Sequence, residues 1–205
     1  MNIALFIILS SVLLAVVEVL KRKLVVSNDL SRRLAHVGAG VINIVAPLFV
    51  SHVAIIVVNI LFAGLLLVSR NTKHFSSIQT TSRKTYGDVY FPLGIIAAAV
   101  ILLPNSVTAF QYGVAIMGIS DALAGFIGER WGRKKLMVFN NPKTPLGAVV
   151  FYLTSLVITF VFAPQLLPIV FILPLVLTAV EFFLVFGLDN LILPVVAGLL
   201  FLNFL

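Results

Sequence analysis

The sequence predicts an all-α protein: a polytopic transmembrane bundle of about eight helices (seven being the alternative) in a single integral membrane domain, residues 1–205. Three observations support this fold class. The chain is 61% hydrophobic with a mean hydropathy of +1.18, which is too apolar for a soluble domain of 205 residues. Apolar runs of about 17 residues or more, the lower limit for a helix that crosses a bilayer, recur along it. All fourteen Lys and Arg residues lie in three short segments between those runs.

The apolar runs follow one another with short connections. In order, they lie at about 2–20, 35–50, 53–69, 89–104, 107–128, 146–163, 166–187 and 190–205. Alternation of spans places the basic segments 21–33, 70–84 and 130–143 on one face. Because short cytoplasmic loops retain Lys and Arg, we expect these segments in the cytoplasm and both termini outside. An active site would then face the cytoplasm at the plasma membrane.

Charge and cysteine content exclude several classes of function. A formal net charge of +7 suggests nucleic acid as the partner of a soluble protein. In a membrane protein, retention of basic loops and attraction to anionic lipids or nucleotide phosphates explain it better, so no nucleic-acid partner is expected. The chain has no cysteine, which excludes disulfides, thiolate metal sites and cysteine nucleophiles.

Asp121 is the most costly residue of the predicted spans. A carboxylate near the middle of a bilayer costs about 2.5–3.5 kcal/mol even on the lenient insertion scale. Gly118, Gly125, Gly128 and Gly132 flank it at helical spacings, which predicts one glycine-lined helix face with an acid in it. The glycines alone are equally typical of a helix-packing seam. With an acid among them and a basic loop after them, they favour a metal or substrate site.

The loop after this span is strongly basic. It contains five of the fourteen basic residues between Gly128 and Gly147, and Lys and Arg at that density can surround a triphosphate. Membrane topology and lipid attraction are the alternative explanation. No Walker motif is present, so a nucleotide would have to be held in another way.

Two further groups could contribute to a site. Arg32, Arg33 and His36 lie on adjacent turns at the start of the second span, although a single interfacial histidine is often structural. Glu181 lies about two turns inside the seventh span, at a depth similar to that of Asp121, so packing could bring both around one divalent ion. Asp189, followed by Asn190, opens the last span and is either a ligand or a helix N-cap, and Asp88, before the fourth span, is also a candidate N-cap.

At this point the chain resembles the CTP-dependent polyprenol kinase family, which comprises phytol, farnesol and dolichol kinases and is related to the phosphatidate cytidylyltransferases. The resemblance is carried by the segment 121–132, by Lys143, Thr144 and Gly147, by Arg32, Arg33 and His36, by Tyr86, Gly87 and Asp88, and by Glu181, Asp189 and Asn190. It implies transfer of the γ-phosphate of CTP to a long-chain isoprenoid alcohol, with Mg²⁺. Several relatives carry a carboxylate where this chain has Leu146.

The residues and the resemblance together define the candidate site. The catalytic candidates are Asp121, Glu181 and His36; the metal candidates are Asp121, Glu181, Asp189 and Asn190; the nucleotide-binding candidates are Arg32, Arg33, Gly125, Gly128, Arg130, Lys134, Lys135, Lys143, Thr144 and Gly147. Competing functions are a cytidylyltransferase acting on a lipid phosphate such as phosphatidate, an ion-coupled transporter, and a structural membrane protein with glycine seams. Two observations argue against the transporter: the predicted outer half has no charged side chain, and the sequence has no obvious inverted repeat.

Overall fold

A computed structural model describes residues 3–24, 27–72, 86–165 and 167–204, and within them the chain is almost entirely helical. The helices are α1 (Ile3–Leu24), α2 (Asn28–Val45), α3 (His52–Thr72), α4 (Gly87–Leu102), α5 (Val107–Ala115), α6 (Ala122–Trp131), α7 (Pro145–Phe162), α8 (Ile169–Phe183) and α9 (Asp189–Leu202). A 3₁₀ turn, Ala46–Leu48, follows α2, and a π-helical segment, Ile116–Asp121, joins α5 to α6. Strands β1 (Leu136–Val138) and β2 (Asn141–Lys143) form a small antiparallel hairpin.

Several of these helices suit a bilayer. Among the residues that the structure describes, four helical stretches are long and apolar enough to cross one: Ile3–Lys23, His52–Arg70, Val107–Trp131 and Pro145–Phe162. Three shorter apolar helices, Gly87–Leu102, Ile169–Phe183 and Asp189–Leu202, accompany them. The helical class is therefore confirmed, with the hairpin as its exception, and the long apolar helices are consistent with a membrane protein. The number of spans stays a prediction.

Two of the helix boundaries that differ from the predicted ones lie near the candidate site residues. Helix α2 begins at Asn28, well before position 35, because Ser27 caps it by accepting a hydrogen bond from the Leu30 amide at 3.3 Å. Helix α8 ends at Phe183 rather than near 187, and the chain then turns through Phe186 and Gly187, whose φ angles are 61° and 86°. The apolar pattern misplaces both boundaries, because it begins only after the polar first turns of α2 and continues through the turn that follows α8. The Ser27 cap and the positive φ angles mark the boundaries instead.

The predicted loop between the fifth and sixth spans is partly ordered. Helix α6 continues to Trp131, and the hairpin pairs Leu136 with Lys143. Phe139 and Asn140 form its two-residue turn with φ angles of 45° and 63°, as in a type I′ turn. The hairpin therefore returns Lys143 directly to the start of α7.

The glycine stripe serves more than one purpose. Gly118 packs against α2, since a Cβ added there would lie only 3.0 Å from the Cα of Gly40. A Cβ at Gly128 or Gly132 would instead meet Thr144, at 2.6 and 2.7 Å. The π-helical segment adds residues to one turn and rotates the register before Asp121. The glycine stripe therefore packs against α2 at its first end and against the start of α7 at its second.

Candidate active site

A cavity of about 150 Å³, which we name the polar pocket, lies where α2, α6, α7, α8 and α9 meet the hairpin. It is lined by most of the candidate residues: Arg32, Arg33, His36, Asp121, Gly125, Gly128, Lys143, Thr144, Gly147, Glu181, Asp189 and Asn190. Gly87, Glu129 and Asn141 also line it, although the sequence did not single them out as site residues.

Three carboxylates converge in this pocket from three different elements. Asp121 ends the π-helical segment, Glu181 lies on α8, and Asp189 is the first residue of α9. One carboxylate oxygen from each lies within 4.8 Å of the others. Asn190 adds a buried side-chain oxygen with no hydrogen-bond partner among the described residues. Oxygen donors of this kind suit Mg²⁺, so the donor set fits the ion that the sequence predicts here.

Lys143 brings a positive charge to the same carboxylates. Its Nζ donates to the backbone oxygen of Glu181 at 3.0 Å and forms an ion pair with the Glu181 carboxylate. Burial disfavours the charged form of Lys143, but the carboxylates of Glu181, Asp189 and Asp121 outweigh it and raise the pKa of Lys143. The ammonium group is therefore charged at neutral pH and offsets part of the negative charge.

Arg33 joins α2 to α6 at the other end of the pocket. Its Nε donates to Asp29 at 2.9 Å, one terminal nitrogen donates to the Ala122 carbonyl at 3.2 Å, and the other pairs with Glu129 at 2.9 Å. Gly125 makes room for this guanidinium, since a Cβ there would lie 3.0 Å from the Arg33 Cζ. Arg33 thus lines the pocket while each of its three guanidinium nitrogens contacts a group of the protein.

The neighbouring helix ends hold the pocket together. Thr144 caps α7 by accepting a hydrogen bond from the Gly147 amide at 3.1 Å, which leaves the start of this helix at the pocket. Asn190 donates to the Gly87 carbonyl at 2.9 Å and so ties α9 to α4. A helix N-terminus next to a lysine is a suitable environment for phosphate oxygens.

His36 lies on α2 with its ring stacked on Phe91, 4.6 Å between centroids. Its Nε2 atom is buried and has no hydrogen-bond partner among the described residues. A purely structural histidine usually has both ring nitrogens satisfied. The unpaired nitrogen therefore favours a role in binding a ligand.

The two aspartates that could have been helix caps are not caps. Asp88 lies within α4, whose N-cap is Tyr86, and it forms an ion pair with Arg70 at 2.6 Å. Asp189 lies inside the first turn of α9, whose N-cap is Leu188, and accepts a hydrogen bond from the Asn190 amide at 2.9 Å. The N-cap interpretation of both residues is therefore wrong.

Three nucleotide-binding candidates lie outside the polar pocket. Lys134 and Lys135 are exposed beside the hairpin, and the Arg130 guanidinium lies 5.4 Å from the ring centre of Trp131. The basic residues Lys73, Arg83 and Lys84, together with His74, fall outside the described residues. Of the basic residues in the third segment, Lys143 is the one that lines the pocket.

Comparisons with known proteins agree with the resemblance. No protein-family model matches the chain, and no solved structure matches it. A curated protein from Synechocystis sp., named phytol kinase, is 27% identical over 197 residues. The match covers 89% of this chain and 82% of that relative. This similarity confirms the resemblance to the phytol and polyprenol kinases.

Proposed function

We propose that the chain is a membrane kinase that transfers the γ-phosphoryl group of CTP to a long-chain isoprenoid alcohol. The observation that carries the proposal is the convergence of Asp121, Glu181 and Asp189 beside Lys143, in a helical chain similar along most of its length to a phytol kinase. Phosphoryl transfer depends mainly on positioning and charge neutralisation, which such a site supplies.

The phosphate chain of the nucleotide binds at the start of α7. Lys143 contacts the phosphate oxygens beside the positive end of the α7 dipole, and Arg32, at the same pocket, contributes a second cation. Asp121, Glu181, Asp189 and Asn190 would hold Mg²⁺, which offsets charge on the phosphate oxygens when bound. In this assignment, neither Lys134 nor Lys135 contacts the nucleotide.

The transfer step involves the lipid hydroxyl. Its oxygen forms a bond to the γ-phosphorus, and the bond from that phosphorus to the β,γ-bridging oxygen breaks, so that CDP leaves with the electron pair. The hydroxyl proton passes to the Nε2 atom of His36, which has no hydrogen-bond partner in the part of the chain that the structure describes. The products are CDP and an isoprenoid monophosphate.

Labelled CTP separates this reaction from the cytidylyltransferase alternative. Purified protein with Mg²⁺ is incubated with CTP labelled at the α or the γ phosphorus, in parallel with geranylgeraniol, phytol, a dolichol, diacylglycerol and phosphatidate. We expect the γ label to enter a prenyl alcohol and the α label to stay in water. Entry of the α label into phosphatidate would identify a cytidylyltransferase, and transfer to no acceptor would favour the transporter.

The proposed topology has eight spans, with both termini outside and the basic segments in the cytoplasm of the cell. A reporter that works only in the cytoplasm should give no signal when fused at position 205. Inserted near position 78, which lies outside the described residues, it should give a strong signal. The reverse pattern would place the polar pocket on the wrong side for CTP.

A further inference from the structure

A second cavity lies beside the polar pocket, between α1, α2, α3 and α4. We name it the apolar groove; its volume is about 60 Å³. Its walls are mainly hydrocarbon, formed by Leu13, Leu14, Ala39, Phe62, Leu66 and Phe91. On α1, residues near these walls such as Ile8 and Val12 are more than half exposed, so this part of the bundle borders the lipid. Such a groove suits a hydrocarbon chain drawn from the bilayer.

The groove and the polar pocket share a wall that is about one residue thick. His36 lines both cavities. At the start of α4, Gly87 lines the polar pocket and the next residue, Asp88, lines the groove. A ligand in the groove therefore has its end at the wall of the polar pocket.

The end of the groove at this wall contains two unsatisfied polar atoms. His36 Nε2 and Asp88 Oδ2 are buried and have no hydrogen-bond partner among the described residues. The other oxygen of Asp88 is bound by Arg70 at 2.6 Å. A hydrocarbon chain would leave both atoms unpaired, whereas a hydroxyl group can donate to either of them. This end thus favours a lipid with a terminal hydroxyl.

The far part of the groove is cross-linked by a satisfied polar pair. Asn59 donates to Asn43 at 2.9 Å, and the two side chains also donate to the carbonyls of Ile55 and Ala39 in their own helices. Asn43 lies seven residues from His36, about 10 Å along α2. Because Asn43 and Asn59 hydrogen-bond to each other and to backbone carbonyls, a ligand needs no polar group in this part of the groove.

We propose that the apolar groove binds the first part of the isoprenoid chain of the alcohol, with the hydroxyl at His36 and Asp88, where it reaches the polar pocket. This inference rests on the proposed function, because it places the acceptor of that reaction. It makes the groove residues of α1 to α4 determinants of lipid binding, whereas the residues that line only the polar pocket determine nucleotide and metal binding.

Narrowing the groove tests the assignment through kinetics. Ala39→Leu adds bulk to the groove wall, and Ala15→Leu makes the same change at an exposed position of α1. We expect Ala39→Leu to raise the KM for geranylgeraniol about tenfold while the KM for CTP stays unchanged. The matched Ala15→Leu variant should leave both KM values unchanged. No change in the KM for geranylgeraniol in Ala39→Leu, or an equal rise in the KM for CTP, would overturn the assignment.

Crosslinking tests the same assignment without relying on catalysis. A geranylgeraniol analogue with a diazirine on its chain is bound to the wild-type protein in nanodiscs without CTP, then photolysed and mapped. Labelling of Leu13, Leu14, Phe62 or Leu66 that excess geranylgeraniol prevents would support the groove. Labelling confined to exposed residues such as Ile8 and Val12, with phosphoryl transfer intact, would overturn it.

A variant that widens the apolar groove provides a second test if Ala39→Leu does not fold. Phe62→Ala removes a ring from the groove wall, so we expect crosslinking that tolerates bulkier prenyl analogues. Labelling in the groove without any phosphoryl transfer would support this lipid site and contradict the kinase, so the two proposals fail separately. Unchanged tolerance in Phe62→Ala would count against the groove.

Discussion

The two ends of the polar pocket contain the same types of charged residue in different proportions. The carboxylate end contains Asp121, Glu181, Asp189 and Lys143, and the arginine end contains Asp29, Arg32, Arg33 and Glu129. At the arginine end, two guanidinium groups match two carboxylates through ion pairs of 2.9–3.1 Å. At the carboxylate end, three acids face one ammonium group. Uncompensated charge therefore marks the place for a ligand, whereas balanced charge holds helices together.

The largest effect should follow from removing a charge at the carboxylate end. In Asp121→Asn we expect kcat to fall about 100- to 1,000-fold, as when one electrostatic contact to a transition state is lost. Insertion and purification should be normal, because the volume is kept. Asp29→Asn is the matched change at the arginine end and should lower thermal stability more than kcat. Near-normal kcat in Asp121→Asn would contradict the difference between the two ends.

A smaller effect, confined to nucleotide binding, is expected for Lys143→Ala. We expect the KM for CTP to rise about 10- to 100-fold, the loss of one charge-assisted hydrogen bond to phosphate. Lys135→Ala, an exposed lysine of the same basic segment, is the control and should leave the KM unchanged. Equal effects of the two substitutions would mean that the basic segment acts through its overall charge rather than through the pocket.

The smallest effect on catalysis is expected for Arg33→Lys. Lysine cannot reproduce the fork that reaches Asp29, the Ala122 carbonyl and Glu129, so the melting temperature should fall by a few degrees. The KM for CTP should change little, because these donors are already used within the protein. A large rise in KM with unchanged melting would instead make Arg33 a nucleotide ligand, as the sequence predicts.

Much of the candidate site could be predicted because charge is rare in this chain. Asp121 and Glu181 lie among apolar residues at a cost that selects for a function, and helical spacing places both at a similar depth. Their convergence with Asp189 within 4.8 Å is set by how the helices pack. Charge and spacing alone could not select Lys143, which the resemblance names, from five basic residues, because a hairpin turn at Phe139 and Asn140 decides which of them returns to the pocket.

The sequence by itself determined the helical class, the apolar runs and the identity of the few residues able to carry chemistry. These properties follow from composition and from periodicity along the chain, which are local. Two features depend on the tertiary structure: Arg33 binds Asp29, the Ala122 carbonyl and Glu129, and His36 separates the polar pocket from the apolar groove. The physical reason is that hydrogen bonds and cavities depend on distances between residues remote in sequence, and these distances are set by how the helices pack.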